Sequence, residues 1–253
     1  MPKSPGWLRD LAGAWIFYSV LPCWPGIAPR FARIARFAPL VGLVLGAAQA
    51  LLWQLGWGHL PPMALVCLVL ALGLALSGGL HVDGLMDTAD GLAAGSRALE
   101  AMDDSRVGAS AVQALVQALL LRTAALLVLA QAAPWALVWA AFWGRVAPLV
   151  AMARFPYLRV DGTARFHREH WRGLGRELLP AAGVLLTLLG LAGMRGWLPQ
   201  TLPGLLGMLP ALLVPLWLGR RLGGHSGDSY GACVEWTETA VLLLMAGALL
   251  AAA

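Results

Sequence analysis

Charged side chains are scarce in this sequence, and their scarcity argues against an ordinary soluble domain. Only 12% of the 253 residues are charged, whereas 59% are hydrophobic. Soluble globular domains carry about 25% charged residues. The composition therefore indicates an integral membrane protein whose length is used for several membrane spans.

Cysteine is also rare, and its placement argues against two further classes of protein. The three thiols, Cys23, Cys67 and Cys233, lie far apart and lack the close spacing of a metal-binding motif. They give no basis for a disulfide framework either. A cleavable signal peptide is not expected, because Pro22 and Pro25 break the first apolar stretch after a polar start.

The net charge of +5 is attributed to loops at the membrane surface, and no nucleic-acid partner is expected. Arginines concentrate before residue 37 and in the segments 80–109, 155–177 and 219–233. The connections between these segments are nearly free of charge. Because positive residues stay on the cytoplasmic side, the pattern predicts a multi-pass protein of the cell (inner) membrane. Its N-terminus and charged loops are cytoplasmic, and its C-terminus is outside.

Seven apolar runs are each close to the roughly 20 residues that a helix needs to cross the hydrocarbon core. They predict an all-α, polytopic protein of about seven transmembrane helices (six to eight), organised as one membrane-embedded domain over residues 1–253. Residues 1–36 form an interfacial or cytoplasmic segment, in which 11–25 is either a short Pro-broken piece or an eighth span. The predicted spans are 37–57, 60–79, 110–131, 134–154, 178–195, 198–218 and 234–252.

A group of aspartates follows the second of these runs directly. Asp83, Asp87 and Asp90 stand at i, i+4 and i+7, so on a helix they share one face. Charges at the edge of a span are costly and are usually functional. Three like charges on one face favour a bound cation, and oxygen ligands without a thiolate favour Mg²⁺ or Mn²⁺. His81, just before them, is either structural or a substrate and proton-transfer contact.

Three further segments offer groups that bind phosphate. Residues 97–108 add the carboxylate Asp104 and the guanidinium Arg106, and residues 156–165 form a basic loop around Arg159 that also holds Asp161 and Thr163. Carboxylates bind metal, metal binds phosphate oxygens, and arginine completes a bidentate clamp. Ordinary solvated loops are the alternative for both segments.

The glycine-rich segment 223–232 is the third of these, and acids follow it into the last span. Its glycines allow backbone N–H groups to approach phosphate closely. Asp228, Glu235 and Glu238 are spaced to share one helical face, and acids entering a span are costly. The alternative is a loop whose acids only cap the helix. Two arginines, Arg122 and Arg145, lie within spans and must face protein or water unless they reach an interface.

Taken together, these motifs resemble those of the cobalamin synthase family. The family block GG-[FL]-H-L-D-G-L-A-D-T-x-D-G corresponds to 78–91, and L-E-I-M-x-D-S-R-[IL]-G corresponds to 99–108. The family's Y-A-R-x-x-G is similar to 157–162. Its G-G-x-T-G-D-x-x-G-A, followed by E-x-x-E, is similar to 223–232 with Glu235 and Glu238, where Ser226 replaces the usual Thr and keeps a hydroxyl.

The resemblance implies a membrane transferase that joins adenosylcobinamide-GDP to α-ribazole or its 5′-phosphate and releases GMP. It also implies a requirement for Mg²⁺ and contact with the lipid bilayer. A phosphotransferase acting on nucleotide-activated lipid alcohols (a CDP-alcohol phosphotransferase-like enzyme) and an ion-coupled transporter are the alternatives. The oligomeric state is left open, with a homo-oligomer among the alternatives.

Individual roles follow from these motifs as predictions. The catalytic residues are predicted to be His81, Asp83, Asp87, Asp90, Arg106 and Asp228. Substrate contacts are predicted for Arg145, Arg159, Gly224, Ser226, Gly227, Glu235 and Glu238. The metal ligands are predicted among Asp83, Asp87, Asp90, Asp104 and Asp228.

Overall fold

The computed structural model describes residues 4–159, 162 and 164–252, and within them the regular structure is helical. Asp161 and Thr163 of the basic loop 156–165 lie outside the described residues. The helices are α1 (Gly6–Phe17), α2 (Ala38–Gly56), α3 (Pro62–Ser77), α4 (Leu80–Ala94), α5 (Ala98–Asp103), α6 (Ala109–Leu129), α7 (Ala133–Arg154), α8 (Phe166–Glu169), α9 (Leu174–Arg195), α10 (Leu198–Thr201), α11 (Met208–Leu222) and α12 (Gly227–Ala252).

Several of these helices are long and apolar enough to cross a membrane, which confirms the predicted all-α polytopic class. The bent pair of α3 and Leu80–Asp103, with an angle of 93°, is one candidate span. Five further candidates in the described residues are Ala35–Gly56, Ala109–Arg154, Leu174–Arg195, Leu198–Leu222 and Gly227–Ala252.

The stretch Ala109–Arg154 is two spans rather than one. Its backbone breaks at Ala130, which has a φ of 48°. Arg122 and Arg145, on either side of the break, both pair with Glu238 of α12. One straight helix would hold these arginines about 35 Å apart. The chain therefore folds back between α6 and α7. When these two helices are counted separately, the described residues contain seven candidate spans, within the predicted range.

Helix α7 forms the centre of the bundle and packs against α2, α11 and α12. It can approach α2 closely because Gly42 and Gly46 lack side chains: a Cβ at either position would overlap the backbone of α7. Large side chains on its other faces, including Trp139 and Phe142, are fully buried. By contrast, Leu186 and Met194 of α9 are 70% and 84% exposed. Exposed apolar side chains on an outer helix fit contact with lipid.

The N-terminal segment holds a short helix and does not add an eighth candidate span in the described residues. Helix α1 has 12 residues and ends at Phe17, so at 1.5 Å per residue it is too short for a bilayer of about 30 Å. It is fastened to the irregular chain that follows by an ion pair of 2.6 Å between Asp10 and Arg30.

Candidate active site

Two glycines aim the aspartate motif away from the preceding helix. Gly78 ends α3 and Gly79 precedes α4, and both have left-handed φ angles, 64° and 73°. Residues with a Cβ rarely adopt this conformation, whereas glycine does so without strain. The 93° bend that results starts a new helix at the motif itself. As predicted, Asp83, Asp87 and Asp90 lie on one helix.

The start of α12 lies against this aspartate helix. A Cβ on Gly84 would overlap the backbone carbonyl of Asp228, and a Cβ on Gly231 would stand 3.0 Å from the backbone oxygen of His81. The two helices therefore touch through backbone. Asp228 consequently lies near Asp83 and Asp87, and Asp87 experiences the negative charge of both. Motifs separated by about 140 residues in the sequence are thus adjacent in the fold.

Arg159 joins the third motif to the other two. Its guanidinium makes ion pairs of 2.8 Å with Asp103 at the end of α5 and with Asp228 at the start of α12. The backbone on either side supports this placement. Leu158 N–H donates to His225 O at 2.8 Å, and His225 N–H donates to Pro156 O at 2.9 Å. The acidic, basic and glycine-rich segments therefore meet at one end of the bundle.

We call Asp83, Asp87, Asp228 and Arg159 the aspartate cluster. It contains three acidic side chains and one basic side chain. The Arg159 guanidinium is shared between Asp228 and Asp103. Asp83 is exposed and has no ion-pair partner among the described residues. A solvent-accessible cluster with excess negative charge is suited to bind a cation together with a phosphate ligand.

Asp90, although on the same helix, is engaged elsewhere. Its two carboxylate oxygens accept hydrogen bonds from the backbone N–H groups of Gly108 and Ala111, at 2.7 and 2.9 Å. These groups belong to the start of α6, whose first N–H groups have no partner within the helix. Asp90 therefore caps α6. Its predicted catalytic and metal-binding roles stay predictions.

Asp104 and Arg106 form a pair on the surface. The guanidinium of Arg106 contacts both carboxylate oxygens of Asp104, at 2.6 to 3.1 Å, and its side chain is 87% exposed. The Arg106 guanidinium lowers the pKa of the Asp104 carboxyl to about 2. The predicted roles of these residues in metal and phosphate binding stay predictions, and either role would require the pair to open.

The glycine-rich segment is more closely packed than its sequence suggests. A Cβ on Gly224 would stand 2.7 Å from Pro156 O, so this glycine permits contact between two backbones. Ser226 and Ser229 exchange hydrogen bonds between side chain and backbone, at 3.3 and 2.8 Å, and so cap α12. This cap explains why α12 begins at Gly227 rather than at the predicted residue 234. Substrate contacts of Gly224, Ser226 and Gly227 stay predictions.

His225 stabilises this turn from within. It is fully buried, with Nε2 3.1 Å from Pro215 O and Nδ1 3.0 Å from the Ser229 hydroxyl. Burial lowers the pKa of His225 to about 4. The ring is therefore neutral at physiological pH and supports the start of α12.

A second charged group lies deeper along α12, and we call it the arginine–glutamate network: Arg122, Arg145, Glu235 and Glu238. Arg122 pairs with Glu235 at 2.7 Å and with Glu238 at 3.5 Å, and Arg145 pairs with Glu238 at 2.6 Å. Two positive groups therefore face two negative ones. Arg122, absent from the predicted site, is essential to this balance, and its position within a span was the signal for it. The predicted substrate contacts of Arg145, Glu235 and Glu238 stay predictions.

Two cavities extend from these charged groups. The larger, about 400 Å³, lies above the network between α2, α3 and α6 and is otherwise mostly apolar. The smaller, about 200 Å³, lies between α1, α4, α7 and α12, and we call it the aromatic pocket. Asp83 and Asp228 line the aromatic pocket, as do His81 and Arg145. Arg145 lines both cavities, so the aspartate cluster and the network are connected through it.

The aspartate cluster fits Mg²⁺ in charge and in ligand type, although it does not by itself form a complete metal cage. Within the described ranges, no three Asp, Glu, His or Cys side chains are grouped so that they could hold a metal ion. Mg²⁺ in proteins is usually held by one or two carboxylates together with substrate phosphates and water. Asp83, Asp87 and Asp228 suit that arrangement. Asp90 and Asp104 suit it less well, because both carboxylate oxygens of each already have partners, whereas Arg159 and Ser226 contact only one oxygen of Asp228.

Comparisons with known proteins identify the family to which the chain is similar. A family model described as cobalamin-5-phosphate synthase matches residues 10–246. A protein of Prochlorococcus marinus (strain MIT 9303), named adenosylcobinamide-GDP ribazoletransferase, is 60% identical over 96% of this chain and 97% of its own. Proteins of the same name from another strain of Prochlorococcus marinus and from Thermosynechococcus vestitus are 47% and 43% identical, covering 96% and 93% of this chain and 96% and 95% of their own. No solved structure matches the chain.

Proposed function

The chain belongs to the cobalamin-5-phosphate synthase family, and from that premise we propose that it is an adenosylcobinamide-GDP ribazoletransferase. A ribose hydroxyl of α-ribazole, or of its 5′-phosphate, attacks the phosphorus attached to cobinamide. A new P–O bond forms to the ribazole, the bond to GMP breaks, and GMP leaves. The observation that carries this proposal is the meeting of three phosphate-binding motifs at the aspartate cluster.

Arg159 holds the diphosphate in this mechanism. It already lies between the carboxylates of Asp103 and Asp228, at 2.8 Å from each. A guanidinium gives two parallel hydrogen bonds to a phosphate group and stabilises charge that develops during transfer. The negative charge on Asp103 and Asp228 keeps Arg159 in place before the substrate arrives.

Asp83 accepts the proton of the attacking hydroxyl. It lines the aromatic pocket and, unlike Asp228, is not held by an arginine in the described part of the chain. A carboxylate that carries no ion pair remains available as a base close to the phosphate. Asp228 and Asp87 complete the negative wall. Asp87 and Asp228, together with substrate phosphate oxygens, would hold Mg²⁺, which when bound would neutralise the phosphate charge and so favour the departure of GMP.

The reaction is proposed to take place on the cytoplasmic side of the inner membrane. The N-terminal segment supports this placement, because its arginines favour the cytoplasmic side. Arg33 of this segment pairs with Glu177 at the start of α9 at 2.6 Å, which puts the segment at that end of the bundle. The same end of the bundle holds Asp103, Arg159 and Asp228. A cysteine placed at the exposed Val107 is expected to react with an impermeant thiol reagent only from the cytoplasmic side. Reaction from the periplasmic side alone would overturn the orientation.

The test of the activity is release of GMP by the full chain in lipid nanodiscs. Adenosylcobinamide-GDP and α-ribazole are supplied together with Mg²⁺, and the cobalamin product is followed by its absorbance and mass. Product from α-ribazole and from α-ribazole 5′-phosphate is compared to determine the preferred acceptor. Asp83→Asn serves as the inactive control. Absence of GMP and of product with both acceptors would overturn the proposal, as would a rate that survives chelation of all divalent cations.

A further inference from the structure

The aromatic pocket has walls that suit a planar ring. Phe17 and Tyr18 from α1, His81 from α4, His167 from α8 and Tyr230 from α12 all line it. Rings contact one another around it: Phe17 packs edge-on against His167, with centroids 6.1 Å apart. The remaining lining is mostly apolar and includes Ala38, Pro148, Leu149 and Met152.

Four buried polar atoms of this lining lack a hydrogen-bond partner among the described residues. They are His81 Nδ1, Arg145 Nε, His167 Nδ1 and the Tyr230 hydroxyl, and each residue is at most 6% exposed. About nine in ten buried polar groups in proteins have a partner, and a buried polar group without one destabilises the fold. All four atoms belong to residues that line one cavity, which favours a bound ligand with polar atoms of its own.

We propose that the aromatic pocket binds the base and sugar of the ribazole acceptor and directs its ribose hydroxyl towards the aspartate cluster. This inference rests on the proposed function. Asp83 and Asp228 lie at the pocket itself, so a nucleoside seated there has its hydroxyl beside the proposed base. Burial lowers the pKa of His167 to about 3, so this ring is neutral and can hydrogen-bond an uncharged ligand.

The other parts of the substrates fit this pocket less well. A corrin ring is much wider than a cavity of about 200 Å³. Guanine carries polar atoms on several edges, whereas the base of ribazole is a benzimidazole with a hydrocarbon edge. That hydrocarbon edge suits the wall made by Ala38, Pro148 and Met152. The polar atoms of His81 and Tyr230 are then left for the ring nitrogen and the ribose.

The test measures binding of α-ribazole to the full chain in nanodiscs by isothermal titration calorimetry, without turnover. Ala38→Leu fills part of the pocket and is expected to raise the Kd for α-ribazole at least about 10-fold, while the Kd for adenosylcobinamide-GDP, measured in the same way, changes less than about 2-fold. Ala47→Leu, at an exposed position of the same helix, is the matched control and leaves both constants unchanged. Tyr230→Phe removes one unpartnered hydroxyl and is expected to raise the same Kd about 3-fold or more.

The outcomes separate this inference from the proposed activity. An unchanged Kd for α-ribazole in both Ala38→Leu and Tyr230→Phe overturns the pocket assignment even if wild-type protein releases GMP. A rise only in the constant for adenosylcobinamide-GDP places guanine there and also overturns it. If the wild type binds α-ribazole and Ala38→Leu does not, but no GMP is released, the pocket stands and the proposed activity fails. Where Ala38→Leu does not fold, the Kd of Tyr230→Phe decides.

Discussion

The aspartate cluster and the arginine–glutamate network lie two turns apart on α12 and treat charge in opposite ways. Asp228 and Glu235 are separated by about 10 Å along the helix. The aspartate cluster holds three acids and one arginine, and that arginine pairs with Asp228 and with Asp103 outside the cluster. In the network, two arginines and two glutamates neutralise one another. An excess of negative charge calls for a cation and substrate, whereas a balanced group can hold three helices together without either.

The physical reason for the difference is the surroundings. Within the membrane, an unpaired charge is costly, so every member of the network needs an opposite charge. At the end of the bundle, water weakens the repulsion between carboxylates. An exposed carboxylate such as Asp83 can therefore stay without an ion-pair partner until a ligand binds. Excess charge is therefore tolerated only where the substrate can reach it.

The largest expected effect comes from the aspartate cluster. Asp228→Asn keeps the shape of the side chain and removes its charge, so the rate of GMP release is expected to fall at least about 100-fold. The melting temperature should change little, because the substitution reduces repulsion. Glu169→Gln, at an exposed acid on the same side, is the control. A variant with normal melting and a near-normal rate would show that Asp228 serves only the start of α12.

The next effect concerns the network and should appear in stability. Glu238→Gln leaves Arg145 without its carboxylate and is expected to lower the free energy of unfolding by about 3 kcal/mol. The double variant Arg145→Met with Glu238→Met restores balance, because Arg122 and Glu235 remain paired. Thermal unfolding in detergent measures both. If the double variant melts no higher than Glu238→Gln, charge balance is not what this network provides.

The smallest effect is expected at Asp90, which shares a helix face with the cluster but caps α6. Asp90→Ala removes two hydrogen bonds to backbone N–H groups and should cost about 1 kcal/mol of stability. The rate per folded molecule should stay within a few-fold of the wild type. Denaturant unfolding and GMP release on the same sample provide the measurement. A loss of rate as large as that of Asp228→Asn would contradict a purely capping role and would indicate that Asp90 takes part in metal binding.

The helices and the shared face of the aspartates could be predicted from the sequence, but the partners of each side chain could not. Apolar runs and arginine-rich loops predict the helices, and the i, i+4, i+7 spacing correctly puts the aspartates on one helix. Spacing cannot show which neighbouring helix each side chain meets. Asp90 meets the start of α6 while Asp87 meets the charge of Asp228, and that difference depends on how α4 is rotated between α6 and α12.

The same limit applies to Glu235 and Glu238. Their spacing from Asp228 predicts a shared face and does not show that the three acids meet different partners. Glu235 and Glu238 pair with Arg122 and Arg145, whereas Asp228 pairs with Arg159 about two turns earlier on α12. Pairing across helices depends on tertiary contacts that local periodicity does not contain.

The tie that Arg159 makes between Asp103 and Asp228 also has a consequence during synthesis. Asp228 belongs to the last helix, so a growing chain that has already inserted α4 and the Arg159 loop still lacks one wall of the site. In such a chain Arg159 can pair with Asp103 but not with Asp228, and the aspartate cluster is incomplete. We therefore expect the proposed activity to begin only after the final helix has entered the bilayer, and we expect truncation before residue 227 to yield an inactive membrane protein.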